Sequence, residues 1–300
     1  MLTQEQLESR KNFICGSDAS VICGLNPYKT KLALWMEKTG LCEQDDIGHL
    51  NHIKFGNYME QGVADWFCAE TGKKVLPNTG EMLIKDFMAG NVDFIIDGEN
   101  AILECKTAYN DEGWGNEENV IPAHYLLQVA HYCMVGDFDR AYIAVVFAQK
   151  REMRWYTYDR NKTLEEKLYA QEKDFWENNV KPVIAPEPTT SNDVILFFKE
   201  TESNPVSVNS EITNKYNTLL EIQQNIKSLE KQEKDLKEEI KLYMKNHDTL
   251  VDECGKIIAT WKYIKAREML DIESLKKELP DIYDQYLKES TKTTRRFNLK

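Results

Sequence analysis

The sequence predicts an α/β protein of the α+β kind, with helices flanking a mixed central sheet and a long helix extending beyond it. Apolar residues recur at helical spacing on either side of a group of short apolar runs that end in turn residues. This order of helix, strands, helix and strand is typical of a sheet covered by helices. A Lys- and Glu-rich region with heptad-like spacing follows a proline-rich stretch and predicts the long helix.

The first elements in the chain are predicted to be helices. Residues 14–40 read as a turn, a short helix, a loop and a second helix that ends at Gly40, a residue type that favours helix ends. Residues 54–71 carry apolar side chains at helical spacing, so we expect Glu60 to lie within a helix whose other face is buried.

The strands follow. Residues 82–90, 91–97 and 100–108 are rich in β-branched and other apolar residues and are expected to form consecutive strands. The last two are joined by Asp97-Gly98-Glu99-Asn100, which is a strong hairpin signal. An apolar helix over 122–136 and another strand over 140–148 complete the predicted core.

A domain boundary is predicted near Pro205. Residues 180–193 contain three of the eight prolines, which gives a first domain over 1–205 and a C-terminal extension over 206–300. Within the extension, residues 211–247 predict a long helix or short coiled coil, which either mediates oligomerisation or folds against its own domain. A hairpin over 250–261 and a helix over 272–288 are expected after it.

Composition limits the possible classes of protein. The chain has 300 residues and a net charge of −12, which disfavours a protein that coats nucleic acid by bulk electrostatics. Contact with DNA would therefore be confined to a groove or channel. No apolar run has the ~20 residues of a membrane span and no signal peptide is evident, so we expect a cytoplasmic protein without membrane contact. The seven cysteines include no CxxC pair, so neither a disulfide framework nor a metal–thiolate cage is indicated.

Three charged residues on the predicted hairpin suggest a metal site. Asp93 and Glu104 lie on neighbouring strands, and Glu104 and Lys106 are two residues apart, so their side chains point from one face. Mg²⁺ and Mn²⁺ prefer oxygen ligands, which these carboxylates and the backbone carbonyl of Cys105 would supply. The Cys105 thiol should then point into the core. The alternative is a structural ion pair between Lys106 and one carboxylate, which leaves the second carboxylate unmatched.

Further motifs before and after the hairpin give the chain a family resemblance. It resembles the YqaJ-type viral recombinases, relatives of phage lambda exonuclease among the PD-(D/E)xK nucleases. The matching elements occur in the family's order: Gly16-Ser17-Asp18-Ala19, Gly24-Leu25-Asn26-Pro27-Tyr28, Trp35 with Lys38-Thr39-Gly40, Gly56 with Glu60, Asp93, Glu104-Cys105-Lys106, and Pro122, Tyr125 and Gln128. Val92 replaces the proline of the family's motif, and the region after 205 has no counterpart in the compact lambda enzyme.

The resemblance implies a restriction-endonuclease-like fold and a role for each motif residue. Asp93 and Glu104, with the Cys105 carbonyl, would hold two Mg²⁺ ions, for which Mn²⁺ could substitute. Lys106 would assist the attacking water, while the Glu60 carboxylate and the Gln128 side chain would lie beside the metals.

The resemblance also implies a phosphate site at Arg10 and Ser17, which would bind the 5′-terminal phosphate of the digested strand. A guanidinium fork and a hydroxyl near a helix start suit a phosphate. Without the family, Ser17 would be interpreted as a helix N-cap and Arg10 as a solvated charge. Tyr28, Trp35 and Trp114 could stack on bases, but core packing is the ordinary role of such aromatic residues.

The function implied is that of a 5′→3′ exonuclease that acts on the ends of linear double-stranded DNA. Its 3′ overhangs would serve a single-strand annealing protein in phage-type recombination, in a bacterial host and from a phage or prophage gene. Relatives form rings, so a homo-oligomer, with a trimer favoured, is expected. Two alternatives stay open: a structure-specific or nicking endonuclease, and a non-catalytic DNA-binding scaffold.

Overall fold

A computed structural model describes residues 9–42, 48–78, 82–115, 120–198, 200, 204–265, 269–287 and 295–299. The chain divides into two compact units between residues 199 and 200. In the described part of the chain, no helix combines the length and apolar character needed to cross a membrane.

The first unit alternates helices and strands. Its helices are α1 (Gly16–Ile22), α2 (Lys31–Lys38), α3 (Asn51–Thr71), α4 (Ala123–Gly136), α5 (Lys162–Phe175) and α6 (Ser191–Phe197). Its strands are β1 (Ile14–Cys15), β2 (Val75–Pro77), β3 (Leu83–Lys85), β4 (Met88–Gly90), β5 (Phe94–Ile96), β6 (Ala101–Ala108), β7 (Arg140–Phe147) and β8 (Glu152–Asp159). A 3₁₀ turn, Arg10–Asn12, precedes β1.

The central sheet has the strand order β2-β5-β6-β7-β8. β6 and β7 run parallel, whereas the other neighbouring pairs are antiparallel, so the predicted mixed sheet is confirmed. The predicted hairpin is β5–β6, in which Phe94 lies opposite Leu103 and Gly98 adopts a φ of 81° at the turn. Strand β8 was not predicted.

Helices cover both faces of this sheet, as its apolar strands require. Val63 and Phe67 of α3 pack on the face that carries Leu103. The α4 side chains pack on the opposite face, which carries Ile102 and Ile143. Because alternate residues of a strand point to opposite faces, the Glu104 and Lys106 side chains of β6 share the α4 face with Ile102.

A second, three-stranded sheet has the order β1-β4-β3. The prediction of one strand over 82–90 was wrong, because the chain reverses at Asp86, which adopts a left-handed φ of 55°, and forms the antiparallel pair β3–β4. Asp tolerates this conformation better than most residues. Strand β1 pairs in parallel with β4, with Ile14 opposite Met88, so the residues that follow these two strands lie side by side.

The second unit consists of α7 (Ser210–Met244), the hairpin β9 (Thr249–Val251) and β10 (Ile257–Thr260), and the short helices α8 (Ile272–Glu278) and α9 (Pro280–Tyr286). The long helix and the hairpin about Cys254-Gly255 were predicted. The single helix expected over 272–288 is interrupted before Pro280, which lacks the N–H that a continuous helix needs. Apolar residues at heptad spacing on α7, such as Leu219 and Ile226, are exposed within this unit.

Candidate active site

The Glu104 carboxylate is the centre of the candidate site. Only 4% of the residue is exposed, yet its two oxygens differ in their partners. Oε1 lies 2.6 Å from the Lys106 ammonium and accepts a hydrogen bond of 2.8 Å from Gln128 Nε2. Oε2 is buried and has no hydrogen-bond partner among the described residues. A buried acceptor left unpaired costs about 1–3 kcal/mol, so this oxygen points to a ligand other than the described residues.

Asp93 stands directly before β5, opposite the middle of β6. Its Oδ2 accepts a 2.8 Å hydrogen bond from the Cys105 backbone N–H, which fixes the carboxylate against the strand that carries Glu104. The structural ion pair considered as an alternative therefore exists between Lys106 and Glu104, but it accounts for one oxygen of one carboxylate. Asp93 and Glu104 Oε2 are outside it.

The carboxylates of the site repel one another electrostatically. Burial and the charge of Glu104 raise the pKa of Asp93 well above its usual range. Burial and Glu104 also raise the pKa of Glu60, which lies on α3. Negative charge is thus costly in this cluster, and a cation bound there would remove that cost.

Lys106 remains a charged group. Burial lowers the pKa of its ammonium, but the neighbouring Glu104 and Asp93 carboxylates raise it by more, so the net shift is upward. The Nζ atom also lies 5.0 Å from the centre of the Tyr125 ring, where a cation is favoured. In this arrangement Lys106 is a hydrogen-bond donor and a positive charge, not a base.

Cys105 behaves as the sequence predicted. Its side chain packs against the apolar cluster beneath α3, on the face opposite to Glu104. Burial and the Asp93 charge raise the pKa of the thiol, which therefore stays protonated. The residue can contribute its backbone carbonyl to the site, but not a thiolate.

Gln128 and Tyr132 of α4 support Glu104 from the helix side. Gln128 Nε2 lies 3.1 Å from the Tyr132 hydroxyl as well as 2.8 Å from Glu104 Oε1. The Tyr132 ring is wedged between two glycines: a Cβ built on Gly16 would lie 2.4 Å from the ring, and one on Gly90 would lie 2.8 Å from it. Both positions therefore need a residue without a side chain.

Arg10 and Ser17, which the resemblance implied as a phosphate site, lie next to each other in the fold. Arg10 Nη2 donates a 2.7 Å hydrogen bond to Ser17 Oγ, so the hydroxyl proton of Ser17 is free to be donated elsewhere. The N-cap of α1 is Cys15, and Ser17 lies inside the helix, so the interpretation of Ser17 as an N-cap is wrong.

A buried lysine, whose role the sequence did not reveal, holds the Arg10 segment in place. Lys38 of α2 lies 2.7 Å from Asp18 Oδ2, and both side chains are nearly buried. Its ammonium also donates to the backbone carbonyls of Arg10 and Phe13. Burial raises the pKa of Asp18, but Lys38 and Arg10 lower it by more, so Asp18 remains a carboxylate.

One pocket of about 430 Å³ gathers most of the predicted site residues. Its lining includes Arg10, Ser17, Asn57, Glu60, Asn91, Asp93, Glu104, Gln128 and Tyr132. Lys106 and Cys105 are not part of the lining. Each of them contacts a residue of the lining: Lys106 pairs with Glu104 Oε1, and the Cys105 backbone N–H donates to Asp93.

The three aromatic residues considered for base stacking differ in their exposure to solvent. Trp35 and Trp114 are buried, and Trp114 stacks on Tyr125, as core packing predicts. Tyr28 is 89% exposed, so the expectation that it packs in the core was wrong. It is available to contact a ligand.

The donor set fits a hard divalent cation. Three carboxylates, Glu60, Asp93 and Glu104, line the pocket, and no imidazole of a described residue does. Cys15 also lines it, but burial raises the pKa of its thiol, which disfavours a thiolate ligand. Among the described residues, no group of three or more His, Cys, Asp and Glu side chains is arranged to hold a metal, so any ion here also needs neutral oxygen ligands.

Comparison with known proteins identifies the family. The sequence profile of the YqaJ-like viral recombinase domain matches residues 5–139. A Bacillus subtilis (strain 168) protein described as "Uncharacterized protein YqaJ" is 35% identical over 314 residues, which cover 100% of this chain and 95% of the relative. The chain belongs to the YqaJ-like viral recombinase family. The resemblance inferred from the ordered motifs is thereby confirmed, and its profile spans every residue of the pocket lining named above.

Two of the solved structures with some likeness to this YqaJ-like chain are described as exonucleases. The alkaline exonuclease LHK-Exo from Laribacter hongkongensis is 11% identical with a TM-score of 0.49, covering 61% of this chain and 94% of its own. A phage related exonuclease from Haemophilus somnus 129PT is 17% identical with a TM-score of 0.46, covering 57% and 96%. TM-scores below 0.5 are too low to establish a common fold.

Proposed function

We propose that this protein is a Mg²⁺-dependent deoxyribonuclease that degrades linear double-stranded DNA from its ends in the 5′→3′ direction and leaves 3′ single-stranded overhangs. The observation that carries the proposal is the single pocket in which an unpaired Glu104 oxygen and Asp93 face the same space as the Arg10–Ser17 pair. Hydrolysis of a phosphodiester next to a bound terminal phosphate needs these two kinds of site side by side.

The carboxylates would hold the ions. Asp93 and Glu104 Oε2, with the Cys105 carbonyl, provide the oxygen ligands, and two Mg²⁺ ions, or Mn²⁺ in their place, are proposed. When bound, the metal polarises the scissile phosphate and lowers the pKa of a bound water. Glu60 adds negative charge on the α3 side of the pocket and supports cation binding there.

Lys106 and Gln128 divide the remaining tasks. Lys106 is protonated, so it would orient the attacking water through a donated hydrogen bond and offset the charge that develops on the phosphate. Gln128 donates to Glu104 Oε1 and so helps to keep Oε2 turned towards the ions. Gln128 is a positioning residue in this proposal.

The Arg10–Ser17 pair would give the reaction its polarity. The Arg10 guanidinium and the free Ser17 proton together offer charged and neutral donors to a terminal phosphate. Binding the 5′-phosphate at a fixed place in the same pocket as the carboxylates would set the bond to be cleaved.

The chain's acidity bears on how it would stay on DNA. At a net charge of −12, general attraction to the phosphate backbone is weak, so repeated cleavage along one molecule would require a ring-shaped homo-oligomer, with a trimer favoured. A single-strand annealing protein that receives the overhang is the proposed partner, in keeping with the viral recombinase family.

A degradation assay on linear duplex DNA tests the function. With Mg²⁺, wild-type protein should degrade a duplex whose 5′ ends are phosphorylated faster than one with 5′-hydroxyl ends, and EDTA should stop both. Glu104→Gln, which keeps the size of the side chain, should abolish degradation. Equal rates on the two ends would remove the phosphate site, and the absence of any Mg²⁺-dependent product would refute the nuclease.

The two alternatives have distinct outcomes. Cleavage of covalently closed circular DNA would favour a nicking or structure-specific endonuclease. If the protein were a non-catalytic scaffold, the Glu104→Ala variant would bind DNA as well as the wild type does and would match it in every assay.

A further inference from the structure

The side-chain carbonyl of Asn91 has no hydrogen-bond partner in the part of the chain that the structure describes. Its Oδ1 atom is buried and accepts no hydrogen bond, and the only other atom of this kind in the described part of the chain is Glu104 Oε2. Both residues line the same pocket. Two unpaired oxygens that share a pocket indicate one ligand for both, because isolated buried acceptors are rare in folded proteins.

The surroundings of Asn91 fix its position. It lies between β4 and β5, and its neighbour Val92 is buried in the core, which leaves Asn91 and Asp93 on the pocket side. The preceding strand is held by α4: the buried His131 ring lies 3.0 Å from the Ala89 carbonyl through Nε2, and Tyr132 packs against Gly90. The backbone on both sides of Asn91 is thus anchored in the core.

The chemistry of the pocket identifies that ligand. An amide oxygen is a neutral, hard donor of the kind that completes the shell of Mg²⁺ or Mn²⁺. Asp93 and Glu104 supply the charge, yet among the described residues no group of three or more His, Cys, Asp and Glu side chains is arranged to hold a metal. A phosphate oxygen would not satisfy Asn91 Oδ1, because both are acceptors.

We propose that Asn91 Oδ1 is a direct ligand of a divalent cation held by Asp93 and Glu104. The proposal rests on the metal site of the proposed function, but it is independent of what that site does to DNA. Asn91 thus joins the site as a neutral ligand from the β4–β5 connection, two residues before Asp93.

Cation binding without DNA tests the proposal. Mn²⁺ titrated into metal-free full-length protein, and followed by electron paramagnetic resonance of the free ion, gives affinity and stoichiometry. Asn91→Ala should weaken binding by about 10- to 100-fold. The matched control is Asn57→Ala, an amide in the same pocket that has no unpaired buried oxygen, and it should bind as wild type does.

A second variant guards against a folding defect. Asn91→Asp places a charged oxygen at the same position, so it should bind Mn²⁺ at least as tightly as wild type; weaker binding would overturn the proposal. Luminescence lifetimes of bound Eu³⁺ in H₂O and D₂O count the waters on the ion, and Asn91→Ala should show an additional water. The proposal is also overturned if Asn91→Ala leaves both the Mn²⁺ affinity and the number of bound waters unchanged. It is overturned likewise if the wild-type protein binds no Mn²⁺. A protein that binds Mn²⁺ through Asn91 but degrades no DNA would refute only the nuclease.

Discussion

Lys106 Nζ lies 2.6 Å from Glu104 Oε1, whereas Glu104 Oε2 has no hydrogen-bond partner among the residues that the structure describes. The ion pair thus uses one oxygen of the carboxylate and keeps the other available. Because the two residues are two apart on β6, the strand itself sets this geometry.

Lys106→Met should separate catalysis from cation binding. The substitution removes the donor and the charge but keeps the length of the side chain, so we expect kcat to fall by about 10²–10³-fold. Mn²⁺ affinity should be retained, because Glu104 Oε2 does not depend on the lysine. Steady-state DNA degradation and Mn²⁺ titration measure the two quantities, and a loss of both together would contradict this division of roles.

Arg10→Lys should reduce the preference for phosphorylated 5′ ends. Lysine keeps the charge but cannot reproduce the guanidinium geometry, so the ratio of kcat/KM on phosphorylated and hydroxyl ends should fall by about 10-fold or more. Ser17→Ala should have a smaller effect in the same direction. Degradation of duplexes with 5′-hydroxyl ends is the internal control, since a general defect would slow it equally.

Lys38→Met should destabilise the fold strongly. It leaves the buried Asp18 carboxylate without its partner, which costs about 3–5 kcal/mol of unfolding free energy. Adding Asp18→Asn should restore part of the loss, because the uncompensated charge is removed. Urea unfolding of the three proteins measures this; equal stability of the single and double variants would show that the ion pair is not the cause.

Stability should fall as pH rises because of His131. Its ring donates from Nδ1 to Glu172, 2.9 Å away, and from Nε2 to Ala89, so it is protonated in the fold. Burial lowers the pKa of the ring, but Glu172 raises it by more, and the net shift is upward.

The sign of the pH effect follows from this upward shift. A raised folded-state pKa gives stabilisation that is complete below the unfolded value of about 6.5 and is lost as pH rises through the folded value. The difference in unfolding free energy between wild type and His131→Gln should therefore shrink with rising pH. A constant difference from about pH 5 to about pH 9 would mean that His131 does not titrate in the fold.

Gly90→Ala should be destabilising although alanine is small. Its Cβ would lie 2.8 Å from the Tyr132 ring, and overpacking of this kind costs about 1–3 kcal/mol. Gly62→Ala is the matched control: at this exposed helical position a Cβ would make only an ordinary contact of 3.9 Å with Met59 Cε, so alanine should stabilise by about 0.5–1 kcal/mol. Thermal unfolding of both variants decides the point, since equal behaviour would rule out the steric cause.

Local patterns predicted the parts of the site that lie close together in sequence. The β5–β6 hairpin follows from its Asp97-Gly98 turn, and the shared face of Glu104 and Lys106 follows from strand alternation. The parallel pairing of β1 with β4 could not be predicted in this way, because Ile14 and Met88 are far apart in the chain.

Contacts between side chains that are far apart in the sequence could not be predicted either. Lys38 carries a family motif, but only the fold brings its ammonium to the carbonyls of Arg10 and Phe13. His131 pairs in the core with Glu172 of α5, and no local sequence pattern brings these two residues together. Asn91 has no sequence signal at all, since only burial reveals that its oxygen lacks a partner.

The placement of Tyr132 between Gly16 and Gly90 limits which sequence changes the protein can accept. One aromatic ring contacts both the segment that carries Ser17 and the strand that leads to Asn91. An N-terminal segment exchanged from a relative would therefore fit only if it kept glycine at position 16, however suitable its own phosphate-binding residues were. The proposed end-recognition site and the proposed metal site are therefore structurally linked, and evolution or engineering would have to change them together.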